Sequence, residues 1–120
     1  MPAPVLIVHE DLNTRELALS ALRAAGHEAV AFADPIVALD AIEADSRVRV
    51  LVTSVTFPTS KPNGVSLGRI VRVKRPGVKI VFIAALEDHP FTEGVGEALP
   101  LALEPQALAD TVGRLLTADD

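Results

Sequence analysis

Residues 5–11 read Val-Leu-Ile-Val-His-Glu-Asp, a continuous apolar run that ends directly in an acidic turn. A short apolar run of this kind is typical of a strand that is covered on both faces, as in a parallel sheet. Asn13 lies three residues before Glu16, which is the spacing of a helix capping box. The segment therefore predicts a buried strand followed by a helix that starts near Asn13.

The alternation of strand and helix continues along the rest of the chain. Four further segments have the apolar character of buried strands: residues 29–33, 48–53, 79–85 and 101–103. Helical patterns follow at residues 65–75 and 88–98, and others begin at Pro35 and Pro105. Gly94 and Gly96 weaken the helix over 88–98, by about 1 kcal/mol each relative to alanine. Alternation of this kind predicts a parallel α/β sheet with helices on both faces.

Composition excludes several classes of protein. The chain of 120 residues has no cysteine, which rules out disulfides and cysteine-based zinc sites. The net charge is −5, and Trp and Tyr are absent, so we expect no binding to nucleic acid. The longest apolar run, residues 80–86, is far shorter than the roughly 18 residues of a membrane span. The N-terminus lacks the basic start of a signal peptide, so we expect a soluble, cytoplasmic protein without a membrane partner.

Function is expected at the carboxyl ends of the predicted strands, because ligands of open parallel sheets bind there. Polar or small residues follow these strands, and they are the candidate site residues: His9, Glu10, Asp11, Ser54, Ala84 and Glu104.

Five segments resemble, in order, the receiver domains of bacterial two-component response regulators. These segments are residues 5–11, 51–58, 63–67, 79–85 and 104–105. The resemblance implies a doubly wound, flavodoxin-like sheet of five parallel strands in the order 2-1-3-4-5. It places helices 1 and 5 on one face of the sheet and helices 2, 3 and 4 on the other. Residues 1–120 are then expected to form a single receiver-like domain without an output domain.

The sequence departs from the receiver pattern at the positions that carry the family's chemistry. Ser54 stands at the phosphoacceptor aspartate, and His9-Glu10 replaces the acidic pair that holds Mg²⁺. Ala84 replaces the hydroxyl residue at the end of strand 4, and Glu104 replaces the lysine before the strand-5 proline. Leu101 corresponds to the switch aromatic of strand 5.

These departures predict a pseudo-receiver that is independent of phosphorylation, is not an enzyme and needs no cofactor. A serine without an adjacent base is a poor nucleophile, and Glu10 is the one candidate Mg²⁺ ligand that remains. Two alternatives stay open. One is an atypical receiver that still accepts a phosphoryl group. The other is an enzyme of another doubly wound family, although no glycine-rich phosphate loop follows strand 1.

A pseudo-receiver of this kind is expected to act by binding protein: a sensor kinase, another regulator or a second copy of itself. The candidate interaction face consists of Phe91, Val95, Leu99 and Leu101, whose spacing also fits a buried core. A local basic cluster is interpreted as a solvated helix face: Arg69, Arg72, Lys74, Arg75 and Lys79.

Two predictions concern Glu104. Receivers commonly have a cis bond at the corresponding Lys-Pro, so the resemblance implies a cis Glu104–Pro105 bond. In the family, the first acidic residue after strand 1 faces the strand-5 lysine. His9 and Glu104 would then form a pair of reversed polarity, in which the carboxylate raises the pKa of the histidine.

Overall fold

Strands and helices alternate along the chain in the computed structural model, which describes residues 5–57 and 63–117. The strands are β1 (Val5–Val8), β2 (Ala29–Phe32), β3 (Val50–Ser54), β4 (Lys79–Ile83) and β5 (Glu97–Leu99). The helices are α1 (Leu12–Ala24), α2 (Pro35–Ala44), α3 (Gly64–Lys74), α4 (His89–Thr92) and α5 (Pro105–Thr117). A 3₁₀ turn, Leu86–Asp88, leads into α4.

All strand pairs of the sheet are parallel, and the order is β2-β1-β3-β4-β5, as predicted. The register aligns the carboxyl ends of the central strands. Val8 pairs with Thr53, and Ser54 pairs with Ile83. His9, Ser54 and Ala84 consequently leave the sheet at the same edge.

The core forms two layers because alternate residues of each strand point to opposite faces of the sheet. On one face, Leu6 and Phe82 pack with residues of α2 and α3. On the other face, Ile7 and Val52 pack with Leu108 and other residues of α1 and α5. This arrangement confirms the predicted placement of α1 and α5 on one face of the sheet and of α2 and α3 on the other.

The first helix begins earlier than the predicted capping box. Asp11 is its N-cap, and the Asp11 carboxylate accepts hydrogen bonds from the backbone N–H of Thr14 at 2.8 Å and from its hydroxyl at 2.7 Å. Asn13 and Glu16 lie within the helix. The prediction of a start at Asn13 is wrong because the acidic turn itself supplies the cap.

The chain between β4 and α5 differs most from its prediction. The predicted helix over 88–98 is one short helix, α4, and the fifth strand is Glu97–Leu99 rather than residues 101–103. Gly94 adopts a left-handed φ of +78°, which is incompatible with continuing the helix. Gly96 lies so close to the backbone of Ile80 that a Cβ would overlap it, so this segment packs directly against β4.

The new position of β5 moves Glu104 away from the strand ends. Its carbonyl oxygen accepts a hydrogen bond from the Leu108 N–H at 3.1 Å, in the first turn of α5. No cis peptide bond occurs within residues 5–57 and 63–117, so Glu104–Pro105 is trans and that prediction is wrong. A trans bond suits a proline at the first position of a helix, where its missing N–H leaves no hydrogen bond unmade.

Arginines on and after α3 tie this helix to its neighbours. The Arg75 guanidinium donates hydrogen bonds to the carbonyl oxygens of Ile42 and Ser46, at 2.8 and 2.9 Å, and so holds the loop after α2. Arg72 donates to the carbonyl oxygen of Val95 at 2.8 Å. Part of the basic cluster is therefore engaged in structural contacts.

Within the described ranges, no helix is long and apolar enough to cross a membrane.

Candidate functional site

A depression of about 240 Å³ opens at the carboxyl ends of β1, β3 and β4. Its lining consists of His9, Glu10, Ser54, Val55, Thr56, Ile83, Ala84, Ala85, Asp88 and Leu101. The structure thus brings together four of the predicted site residues: His9, Glu10, Ser54 and Ala84. Asp11 and Glu104 are not part of the lining.

Leu101, rather than Glu104, is the residue after β5 that lines the depression. The sequence comparison had placed Glu104 there because it precedes a proline, but this proline begins α5. In the described part of the chain, no hydrogen bond or ion pair joins His9 to Glu104, so the predicted charge pair does not form. The residue after β5 that reaches the depression is therefore apolar Leu101, and the lysine of the receiver pattern has no counterpart among the described lining residues.

His9 is buried, with 7% of its surface exposed. Its Nδ1 accepts a hydrogen bond from the Asp11 N–H at 3.0 Å, so the neutral ring carries its proton on Nε2. Nε2 is itself buried and has no hydrogen-bond partner in the described residues. Burial lowers the pKa of His9 and outweighs the opposing effect of the Asp11 and Glu10 carboxylates. The prediction of a raised pKa is wrong, because the desolvation of the buried ring favours its neutral form.

The turn after β1 is held by Asp11 and Arg15. Hydrogen bonds from the side chain and backbone of Thr14 lower the pKa of the Asp11 carboxyl group, which stays ionised as the helix cap. The Arg15 guanidinium donates to the carbonyl oxygen of His9 at 2.7 Å. Both charged groups thus stabilise the turn instead of facing the depression.

Ser54 ends β3 and is almost completely buried. Its hydroxyl donates to the carbonyl oxygen of Thr56 over 3.4 Å, which is a long and weak hydrogen bond. No described base activates this hydroxyl, since Nδ1 of His9 already accepts from Asp11 and Nε2 carries a proton. The arrangement leaves Ser54 as a poor nucleophile.

The residues at this edge do not fit a Mg²⁺ ion. Magnesium prefers several oxygen ligands in octahedral geometry. Asp11 is engaged as a helix cap, and His9 presents an N–H to its surroundings instead of a lone pair. The described residues contain no group of three His, Asp or Glu side chains that would hold a metal ion. Glu10 and Asp88 alone contribute carboxylates to the lining.

Three polar or charged residues at the site were not predicted from the sequence. Asp88 lines the depression but had been assigned to the start of a longer helix. Thr56 also lines it, and Arg15 supports it from α1 through the His9 carbonyl. Asp88 was recoverable in principle, because it closely follows the apolar run of β4.

The predicted interaction residues divide between surface and interior. Phe91 and Leu101 are exposed, at 63% and 57% of their surface. Val95 is buried in the core layer of α2 and α3, and Leu99 packs partly buried against the other layer. The exposed part of the predicted face is therefore Phe91 and Leu101.

No protein-family model matches the sequence, and no curated protein is significantly similar to it. Among solved structures, the chain is similar to the chemotaxis protein CheY4 of Vibrio cholerae, with 24% identity and a TM-score of 0.84 over 97% of this chain and 100% of that one. It is also similar to a CheY-like response regulator receiver domain protein from Methanospirillum hungatei JF-1, with 20% identity and a TM-score of 0.87 over 99% and 97% of the chains.

A response regulator receiver protein from Sinorhizobium medicae WSM419 gives a similar result, with 22% identity and a TM-score of 0.87 over 99% of this chain and 98% of that one. These matches cover nearly the whole of each chain, so they concern the entire sheet and its helices. They agree with the strand order and with the resemblance drawn from the sequence. This chain has the fold of a response-regulator receiver domain.

Proposed function

We propose that the chain is a receiver-like protein of a two-component signalling system that binds other proteins without accepting a phosphoryl group. The observation that carries this proposal is the chemistry of the depression at the strand ends. Its charged lining is acidic, from Glu10 and Asp88, and among its described lining residues there is no Lys or Arg. An incoming phosphoryl anion would meet carboxylates where transfer requires positive charge.

The proposal is also supported by the absence of an activated nucleophile among the described residues. Phosphoryl transfer to a side chain needs an exposed, deprotonated or base-assisted oxygen. The Ser54 hydroxyl is buried and bonded within its own loop. Ala84, at the end of β4, offers only a methyl group to the same space.

A receiver-like fold that does not accept a phosphoryl group can still act by binding protein partners. A sensor kinase, another regulator and a second copy of the chain are the partners we consider, in the cytoplasm. Exposed Phe91 and Leu101 lie beside the depression and supply apolar surface for such contacts.

Intact-mass spectrometry after incubation with acetyl phosphate and Mg²⁺ tests the proposal. We expect no added phosphoryl mass on the unaltered protein, and little on the Ser54→Asp variant. That variant regains a carboxylate but places it beside Glu10 and Asp88 without a cation, and groups that act as a unit are strongly non-additive. A known receiver with its aspartate intact serves as the positive control. Stoichiometric labelling of the unaltered chain would favour the alternative of a working phosphoacceptor.

A further inference from the structure

Helix α3 begins at the dipeptide Asn63-Gly64. In an Asn-Gly pair, the backbone nitrogen of the glycine can attack the asparagine side chain, because glycine has no Cβ that would hinder the approach. The chain has one other asparagine, Asn13, and it precedes the β-branched Thr14 inside α1. Asn63 is therefore the asparagine of this chain that is best placed to react with its own backbone.

In the folded chain, hydrogen bonds hold both reacting groups of this pair. The Gly64 N–H donates to the carbonyl oxygen of Val55 at 2.8 Å. The side-chain oxygen of Asn63 is the N-cap of α3 and accepts from the Ser66 N–H at 2.8 Å. Attack requires the Gly64 nitrogen to lose the proton that it donates to Val55, and the Asn63 side chain to turn away from Ser66. The reaction therefore requires the first turn of α3 to open.

Packing against the sheet keeps this turn closed. Val65 is buried and belongs to the core layer of α2 and α3. The backbone of Gly64 lies so close to Ser54 that a Cβ would overlap the Ser54 carbonyl oxygen. Asn63 itself is exposed, so water reaches its side chain. Opening of a single exposed helix end costs less free energy than unfolding of the whole domain.

We propose that Asn63 is a site of spontaneous deamidation whose rate is set by local opening of the first turn of α3. In the opened turn, the deprotonated Gly64 nitrogen forms a bond to Cγ of Asn63, and the side-chain amide group takes up a proton and leaves as ammonia. Water then opens the resulting cyclic imide at either of its two carbonyl carbons. The product is aspartate or isoaspartate at position 63, and water is the only co-reactant.

The two products differ in their effect on α3. Aspartate keeps the capping oxygen and adds a negative charge where the helix dipole favours it. Isoaspartate routes the main chain through the former side chain and so adds a methylene group before Gly64. Because Gly64 has no free space toward Ser54, the isoaspartate form must displace the first turn of α3. The site is independent of the docking role proposed above.

Peptide mapping by mass spectrometry, during incubation of the intact chain at neutral pH, tests the proposal. We expect Asn63 to convert at least about tenfold more slowly in the folded chain than in the chain unfolded by guanidinium chloride. Hydrogen exchange of the Gly64 N–H needs the same opening, so its slowing in the folded chain should agree with that of deamidation within about threefold. Asn13, read from the same digest, is the internal control and is expected to convert far less than Asn63 in the unfolded chain.

Two valine substitutions on α3 test the control by its first turn. Val65→Ala removes buried side-chain atoms and is expected to speed both the conversion of Asn63 and the exchange of the Gly64 N–H by at least about threefold. Val73→Ala is the matched control, because it makes the same change on the same helix at a residue that is 82% exposed. It is expected to change neither rate. Asn63→Asp supplies the standard for the aspartate product.

Several results would overturn the proposal. They are an Asn63 that does not convert in the unfolded chain, equal rates in the folded and unfolded chains, or equal conversion of Asn13 and Asn63 in the unfolded chain. A Val65→Ala variant that speeds exchange of the Gly64 N–H but not the conversion of Asn63 would also overturn it. Circular dichroism establishes that the variants are folded, and the comparison of folded and unfolded unaltered chain holds whether or not Val65→Ala folds.

Discussion

The interior of strand β3 and the depression at its carboxyl end are only a few residues apart, but they follow the receiver pattern to different degrees. Val50, Leu51 and Val52 are fully buried between two helical layers, as a central parallel strand requires. At the end of this strand, the depression has Ser54 where the resemblance implies an aspartate, and its described lining residues include no Lys or Arg. The fold depends on apolar pattern and packing, whereas the proposed loss of phosphoryl chemistry depends on a few specific side chains.

The largest expected effect is a loss of folding stability when a buried side chain of the sheet is removed. Phe82 is completely buried in β4, and Phe82→Ala is expected to lower the free energy of unfolding by about 3–5 kcal/mol. The same substitution at Phe91, which is mostly exposed, is expected to change it by less than about 1 kcal/mol. Urea denaturation of the two variants at a low protein concentration measures both. Equal losses would contradict the assignment of core and surface.

A smaller effect is expected where α3 meets the end of β3. A Cβ at Gly64 would overlap the carbonyl oxygen of Ser54, so Gly64→Ala must displace the helix and is expected to cost about 1–3 kcal/mol. Gly77 has open space around its Cβ position, and Gly77→Ala is expected to be neutral or stabilising by less than about 1 kcal/mol. Thermal unfolding compares the pair. A tolerated Gly64→Ala would mean that the turn after β3 is looser than described.

The smallest of these stability effects concerns the titration of His9. Its pKa is lowered in the folded protein by burial, so the unfolded chain takes up this proton first as pH falls. The contribution of His9 to the free energy of unfolding is complete above the ordinary histidine pKa of about 6.5. It is lost as pH falls from there toward the lower pKa that His9 has in the folded protein. The unfolding midpoint of the unaltered protein should therefore fall more steeply between about pH 7 and pH 5 than that of His9→Gln. Parallel curves would show that the ring is solvated in the folded state.

The sequence predicted the structure best where an apolar run is compatible with only one kind of element. The runs at Val5–Val8 and Lys79–Ile83 are strands as predicted, and the sheet order follows from the alternation together with the receiver resemblance. Packing at Gly96 against Ile80 placed β5 before the apolar residues 101–103, and no local pattern revealed this. Glu104 was consequently assigned to a site that Leu101 occupies.

Burial also decided the direction in which the pKa of His9 shifts, because its neighbours Glu10 and Asp11 alone would raise this pKa. The desolvation of a side chain depends on the packing of the whole sheet edge, which is not apparent from adjacent residues. The hydrogen bond from the Asp11 N–H to Nδ1, which fixes the tautomer, is likewise a property of the folded turn. Sequence reasoning therefore located the candidate site but did not give its electrostatics.

The most direct test of the account is a restoration series measured by intact mass after incubation with acetyl phosphate and Mg²⁺. The variant that combines His9→Asp, Ser54→Asp, Ala84→Thr and Leu101→Lys supplies acid, nucleophile, hydroxyl and cation to the depression. Its matched control keeps the first three changes but carries Glu104→Lys, at the start of α5 and outside the lining. We predict phosphoryl mass on the first variant and little or none on the control or on the unaltered protein. Labelling of the unaltered protein, or equal labelling of the two fourfold variants, would contradict the account.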